Sequence, residues 1–193
     1  MNAAAAAALK ITNTTVTAEI SDCCCLNLAF LARSLINVCF NSRQCFAALR
    51  LADRKYGATG LLYSNGRLVV VGASSPDKAR LVVRRIARQV QRVHPGKYTK
   101  FFVRKFSVRN IVGTFTHPHK LDLRLIYSKA AAMNNCSVQW NQERFPAAVN
   151  IRCGSRTALI FYSAKIVLTG AKSMEELEHF HQYLLQNILP API

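Results

Sequence analysis

The feature that most constrains this chain is a repetition. Residues 59–75 read "TGLLYSNGRLVVVGASS", and residues 157–173 read "TALIFYSAKIVLTGAKS". Thr, Leu, Val, Gly, Ala and Ser recur in register at an offset of 98, with Phe161 facing Tyr63 and Lys165 facing Arg67. Three more blocks follow in the same order. "TNTTVT" (12–17) matches "RNIVGT" (109–114), "LNLAFLA" from Leu26 matches "LDLRLIY" from Leu121, and "CFAAL" from Cys45 matches "RFPAA" from Arg144. Offsets that drift only where loops absorb insertions indicate a duplicated domain, and two copies are too few for a solenoid. A pseudo-twofold pair is expected, with an Ala-rich, disordered lead-in at 1–9 and repeats at 10–100 and 101–193.

Each half has a readable order: an extended Asn-bearing segment, a helix, short strands, then a longer helix. The strand cores are "FAALRL", "TGLLY" and "RLVVVGA", answered by "FPAAVNI", "TALIF" and "KIVLTGA". Turns of hairpin length, "SNG" and "YSA", predict antiparallel pairing. Ser75, Pro76 and Asp77 start one closing helix. Ser173 and Glu176 form a capping box for the other. In the first helix Ala79, Val82, Val83, Ile86, Val90 and Val93 share one arc, and Lys78, Arg84, Arg85, Arg88 and Arg92 stand in solvent opposite.

The strands break an ordinary rule. A sheet backed by helices on one side should alternate apolar with polar residues, yet "LVVV" (68–71) and "IVLT" (166–169) are apolar on both faces. Two helices per half cover one face only, so an apolar face is left for a partner. A dimer interface or a closed barrel would use such a face. The charge argues otherwise: 26 Lys+Arg against 9 Asp+Glu give +17, which draws polyanions. An apolar floor inside a basic rim suits the minor groove of DNA, where sugars and base edges lie between phosphate walls. Phe46, Tyr63, Phe145 and Phe161, one pair per half, then read as wedges between base steps. Isolated phenylalanines are more often core residues; their pairing within a repeat favours the wedge.

Other classes find less support. The seven cysteines lack a C-x-x-C pair and read as reduced, mostly structural thiols of an intracellular protein. The histidines fall as "HPH" (117–119), "HFH" (179–181) and a lone His94; "HFH" is a poor metal pair, since i, i+2 on a helix point to different sides, and no carboxylate dyad or nucleophile–base pair stands out. No enzyme, cofactor, metal, membrane span or small-molecule substrate is expected.

"CFAALRL", "TALIFYSAKIVLTGAKS" and "VRNIVGT" resemble the repeated signatures of the TATA-box-binding protein family, over about residues 10–190 and more closely in the second half. The resemblance implies an α+β saddle: two pseudo-twofold repeats in one curved antiparallel sheet with helices on the convex back. It implies that Phe46 with Tyr63 and Phe145 with Phe161 kink the DNA. It matches Asn13, Asn110 and Thr169 to minor-groove hydrogen bonds. Ala47, Leu61, Val69, Val71, Val112, Pro146, Leu159 and Val167 match the apolar floor, and Arg67, Lys165 and Lys172 match phosphate contacts. The implied role is a nuclear general transcription initiation factor that bends A/T-rich promoter DNA and nucleates preinitiation complex assembly. Its partners would be the A- and B-type general factors and polymerase-specific assembly factors, received partly by Arg84, Arg85, Arg88 and Glu143.

The chain also departs from the pattern. Tyr63 replaces a phenylalanine, Val71 a threonine, Ala52 an arginine, and Asn141 a glutamate in the second-half loop. A one-residue shortening between 145 and 161 leaves Arg152 unassigned. These changes fall mostly in the first half and point to a divergent or TBP-related member with relaxed sequence preference. A protein-interaction platform that keeps the fold but no longer bends DNA is the alternative.

Overall fold

The computed structural model describes residues 8–21, 25–41, 47–94 and 101–190. The chain is α+β and divides into two compact units, Asn13–Arg109 and Met1–Thr12 with Asn110–Ile193. In chain order the first repeat holds β1 (Lys10–Ser21), α1 (Leu28–Ser34), β2 (Val38–Cys39), β3 (Leu49–Asp53), β4 (Ala58–Leu62), β5 (Arg67–Ala73) and α2 (Pro76–Val93). The second holds β6 (Phe101–Thr116), α3 (Leu123–Ala131), β7 (Ser137–Gln139), β8 (Ala148–Cys153), β9 (Arg156–Phe161), β10 (Lys165–Ala171) and α4 (Met174–Asn187). Strand order is β2-β3-β4-β5-β1 in the first unit and β6-β10-β9-β8-β7 in the second. The pairings are antiparallel, as the hairpin spacings predict.

The strand alternation resolves as the sequence requires. Leu68 and Val70 are fully buried under the helices, as are Ile166 and Leu168. Val69, Val71, Val167 and Thr169, one residue out of phase, are only half-buried on the opposite side. On α2, Ala79, Val82, Val83, Ile86 and Val90 supply the apolar stripe. They pack with Val16, Leu49, Leu62, Leu68 and Val70 into the first core. Each such aliphatic side chain contributes at most ~1.5–3 kcal/mol by leaving water. The second core has Leu177, Phe180 and Leu184 of α4 on Ile111, Ala158, Ile160, Ile166 and Leu168.

Of the local expectations, the Ser75 cap is met and others are corrected. Ser75 caps α2 by accepting from Lys78 N–H at 3.2 Å. Ser173 likewise accepts from Glu176 N–H at 3.1 Å, but Glu176 reaches one residue further back than a capping box requires, to Lys172 N–H at 2.8 Å. Arg85 is partly exposed but, unlike its neighbours on that arc, is ion-paired: its Nε lies 2.7 Å from Oδ2 of the buried Asp53. Strand β8 starts at Ala148, so Phe145 lies in the preceding turn. The edge strands β2 and β7, of two and three residues, carry no sequence signal.

The cysteines also differ from the expected reduced state. Cys136 and Cys153 form a disulfide with Cα atoms 4.3 Å apart. The β7–β8 register sets Ser137 opposite Arg152, so the next residues outward are brought face to face. That proximity is invisible without β7. Cys25 and Cys39 are free thiols. The lead-in residues 1–7, Cys23, Cys24, Cys45 and Phe46, expected as a wedge, lie outside the described residues.

Candidate nucleic-acid interface

The helix-free side of each unit is built in rows across paired strands. In the first unit, pairing aligns Thr17, Val69, Leu61 and Arg50. In the second it aligns Thr114, Val167, Leu159 and Asn150. A second row runs Val71, Thr59 and Ala52 in one unit, and Thr169, Thr157 and Arg152 in the other. The expected floor residues Leu61, Val69, Val71, Leu159 and Val167 thus share these faces, with Val112 half-buried on β6. The register also places Arg152, which the sequence left unassigned, at the position opposite Ala52. Threonines 15, 17, 59, 114 and 157 join the floor. They escaped the sequence reading because threonine is an ordinary strand residue.

The asparagines occupy matched niches made by β-bulges. Register slips between Thr14 and Val16 on β1, and between Leu168 and Ala171 on β10. Each slip falls beside a glycine in the left-handed region, Gly72 at φ +94° and Gly170 at φ +93°. The bulged glycine N–H turns out of the ladder and donates to an asparagine: Gly72 to Asn13 Oδ1 at 2.7 Å, Gly170 to Asn110 Oδ1 at 2.8 Å. Because a backbone N–H must meet an oxygen, the amide orientation is fixed without ambiguity. The NH2 ends are therefore directed to the open side. Asn110 Nδ2 donates one hydrogen to Thr169 Oγ1 at 3.0 Å, a hydroxyl that also lies 3.2 Å from Asn110 Oδ1. Val71 stands at the Thr169 position, so the Asn13 amide lacks that support.

The rings are placed as follows. Phe145 is half-exposed, and its ring meets that of Phe161 edge-on, with centroids 6.4 Å apart and planes at 84°. Tyr63 is half-buried at the end of β4, just before the turn that Asn65 tightens by accepting from Arg67 N–H at 3.0 Å. Ala47 is half-buried ahead of β3. Pro146 is exposed in the turn before β8, where its carbonyl accepts from Trp140 Nε1–H at 3.2 Å. It lines a hollow of about 520 Å³ with Trp140, Leu121 and Tyr162.

Cations ring these faces. Arg50, Arg67, Arg109, Arg152 and Lys165 are exposed, as is Lys172 leading into α4. Glu19 reaches the first face but is met by Lys105 at 3.1 Å. Arg109 was not singled out from sequence, yet its Nε–H donates to Thr17 Oγ1 at 2.8 Å. Of the expected partner residues, Arg84 and Arg88 are exposed on α2, Arg85 is held by Asp53, and Glu143 lies exposed in the turn before Phe145.

Comparison with known proteins places the chain. The family model described as "Transcription factor TFIID (or TATA-binding protein, TBP)" matches residues 8–93 and 105–190, one match per repeat. A TATA-box-binding protein of Saccharomyces cerevisiae is 33% identical over 163 residues, 84% of this chain and 64% of that protein. That of Dictyostelium discoideum is 32% identical over 154 residues, 79% and 70% of the two chains. That of Drosophila melanogaster is 32% identical over 165 residues, and the match spans 84% of this chain but only 44% of the relative. Among solved structures, Methanococcus jannaschii TBP superposes with a TM-score of 0.76 over 93% of this chain and 97% of that one, at 22% identity, a likeness of fold. Two matched repeats, the shared fold and bulge-held asparagines in both halves lead to one conclusion: this chain belongs to the TATA-binding protein family of transcription factors.

Proposed function

We propose that this chain is a non-enzymatic general transcription initiation factor that binds the minor groove of A/T-rich promoter DNA and bends it. The observation that carries this reading is the paired amide geometry. Asn13 and Asn110 each have Oδ1 committed to a glycine N–H, leaving NH2 donors on an apolar, cation-rimmed face. A·T pairs offer only acceptors in the minor groove, whereas guanine adds an N2 donor that an NH2 group cannot meet. Donors of this kind accept A·T in either orientation and disfavour G·C.

Bending follows from the rings. Phe145 and Phe161 in one half, and Tyr63 with Phe46 in the other, wedge between base steps at a cost of a few kcal/mol per step, offset by the added contact that a bent duplex allows. Ala47, Leu61, Val69, Val71, Val112, Pro146, Leu159 and Val167 meet sugars and base edges, and Thr169 supports the Asn110 contact. Arg67, Lys165 and Lys172 face phosphates. The repeats take residues 10–100 and 101–193. Acting in the nucleus, the complex nucleates preinitiation assembly, with Arg84 and Arg88, beside the Asp53-paired Arg85, meeting acidic surfaces and Glu143 meeting a B-type factor. The first-half changes at Tyr63, Val71 and Ala52 give relaxed sequence preference.

A short duplex carrying dyes at both ends around an A/T-rich element tests this. Wild type is expected to bring the ends together, and the Phe145→Ala, Phe161→Ala double variant to bind without doing so. Binding without bending by wild type would reduce the protein to a basic clamp. No binding would favour a protein-interaction platform, a reading to which the apolar Val71 and Ala52 lend some support.

A further inference from the structure

The first unit holds a hollow of about 500 Å³ lined by Thr17, Tyr63, Asn65, Arg67, Val69 and Arg109. Two guanidinium groups and a phenol border it, and no carboxylate lines it. Arg109 is anchored by one bond, Nε–H to Thr17 Oγ1 at 2.8 Å, which leaves its four terminal N–H donors available. Two like charges around one hollow repel each other unless an anion sits between them. The repeat shows that this arrangement is not inherited scaffolding. The second-repeat counterparts of Tyr63, Asn65 and Arg67 are Phe161, Ser163 and Lys165. Arg109, one residue before Asn110, corresponds to Thr12, one residue before Asn13. Thr12 donates to the Val112 carbonyl at 3.3 Å and presents no charge.

We propose that Tyr63, Arg67 and Arg109 form a phosphate seat on the Asn13–Arg109 unit, in which Arg109 and the Tyr63 hydroxyl have no counterpart in the other unit and Arg109 grips a backbone phosphodiester of the bound nucleic acid. This rests on the DNA-binding reading above and adds to it a residue and a ligand group. A guanidinium presents a planar fork suited to two phosphate oxygens, and the Tyr63 hydroxyl donates to the same anion. The seat supplies affinity that does not depend on sequence, in the half whose base-reading groups are depleted. It also gives the Tyr63 hydroxyl a partner.

The test is affinity for A/T-rich and G/C-substituted duplexes over a range of salt, for wild type, Arg109→Ala and Arg109→Lys, with circular dichroism to check folding. One lost phosphate contact lowers the slope of log K against log salt by about 0.9. Arg109→Ala should therefore shed about 0.9 from the slope and bind roughly eightfold more weakly at 0.1 M salt, equally on both duplexes. Arg109→Lys should keep the slope while losing part of the affinity, because the charge stays and the fork goes. A loss confined to particular base pairs with an unchanged slope would overturn the seat in favour of base reading. No change in slope or affinity would overturn it outright, while leaving DNA binding intact. Salt-independent or absent binding by wild type would sink both this proposal and the functional reading beneath it.

Discussion

Gly72 and Gly170 adopt nearly the same backbone, φ +94° and +93°, and each donates its N–H to an asparagine at 2.7 or 2.8 Å. One residue earlier the halves part: Val71 in the first, Thr169 in the second. The pattern repeats across the open faces, where Tyr63 answers Phe161, Arg67 answers Lys165 and Ala52 answers Arg152. A bulge that frees a backbone donor admits very few substitutions, because its geometry is over-determined by both strands. A side chain pointing away from the core meets no such constraint until a ligand arrives. Divergence between the repeats therefore collects on the open faces. The second half keeps the threonine beside its asparagine, and the first half has a valine there.

The largest expected contrast tests the scaffold. At Gly170 a Cβ would run into the Ser155 carbonyl oxygen and lie 3.0 Å from Arg156 Cα, both backbone atoms that cannot swing aside. At Gly72 the nearest atom is Gly57 O at 3.2 Å. Both sites have positive φ, so Gly72→Ala should cost ~1–2 kcal/mol and Gly170→Ala ~3 kcal/mol or more. Chemical denaturation measures both. The single Trp140 belongs to the second unit and reports it by fluorescence. Equal costs would mean that the second bulge relaxes freely.

Next come the amides. Asn110→Ala removes the proposed base donor and strands both Gly170 N–H and Thr169 Oγ1. Asn13→Ala strands Gly72 N–H alone. We expect DNA affinity to fall by ~2 kcal/mol for Asn110→Ala and by ~1 kcal/mol for Asn13→Ala. Titration of A/T-rich duplex by fluorescence anisotropy decides this, and a larger loss at Asn13 would reverse the proposed division between halves.

A smaller contrast lies in the helices. His181 on α4 stands where α2 has the buried Val83, and only 6% of it is exposed. Burial against Phe115, ring centroids 4.3 Å apart, pushes its pKa below the ordinary 6.5, with Glu178 opposing in part. The unfolded chain therefore takes up the proton first as pH falls. Stability is fully present above 6.5 and declines below it, with a slope of at most ~1.4 kcal/mol per pH unit. Denaturation of wild type and His181→Val between pH 7 and 5 should show that slope only in wild type. A retained slope in the variant would assign the decline to other groups.

The smallest expected effect is a gain. Val71→Thr gives the Asn13 amide the hydroxyl that Asn110 already has, and should improve affinity for A/T-rich duplex by ~0.5–1 kcal/mol. Unchanged or weaker binding would make Val71 a floor residue in its own right.

Much of the fold was legible because its signals are local. Ser75, Pro76 and Asp77 announce α2, the 3.6-residue stripe from Ala79 to Val90 orients it, and "SNG" and "YSA" set the hairpins. The doubled apolar strands pointed to a face without cover. Short edge strands were not legible, since two or three residues carry no period. The rings could be named from the repeat and the asparagines and floor residues from the family resemblance, but Arg109 and threonines 15, 17, 59, 114 and 157 could not. Their significance depends on which strands lie beside them.

By itself the sequence determined that the chain holds two copies of one α+β unit, which side of each strand is buried, and that a basic, apolar face remains. Periodicity and repetition are properties of neighbours along the chain, so they survive in one dimension. Tertiary structure alone decided that Gly72 and Gly170 turn their N–H groups onto Asn13 and Asn110, that Thr17 holds Arg109 beside Tyr63, that Asp53 pairs with Arg85, and that Cys136 meets Cys153. Each of these rests on register between strands, or between strand and helix, across separations of 17 to 92 residues. Register is set by bulges and core packing together, and a one-residue slip would change every partner.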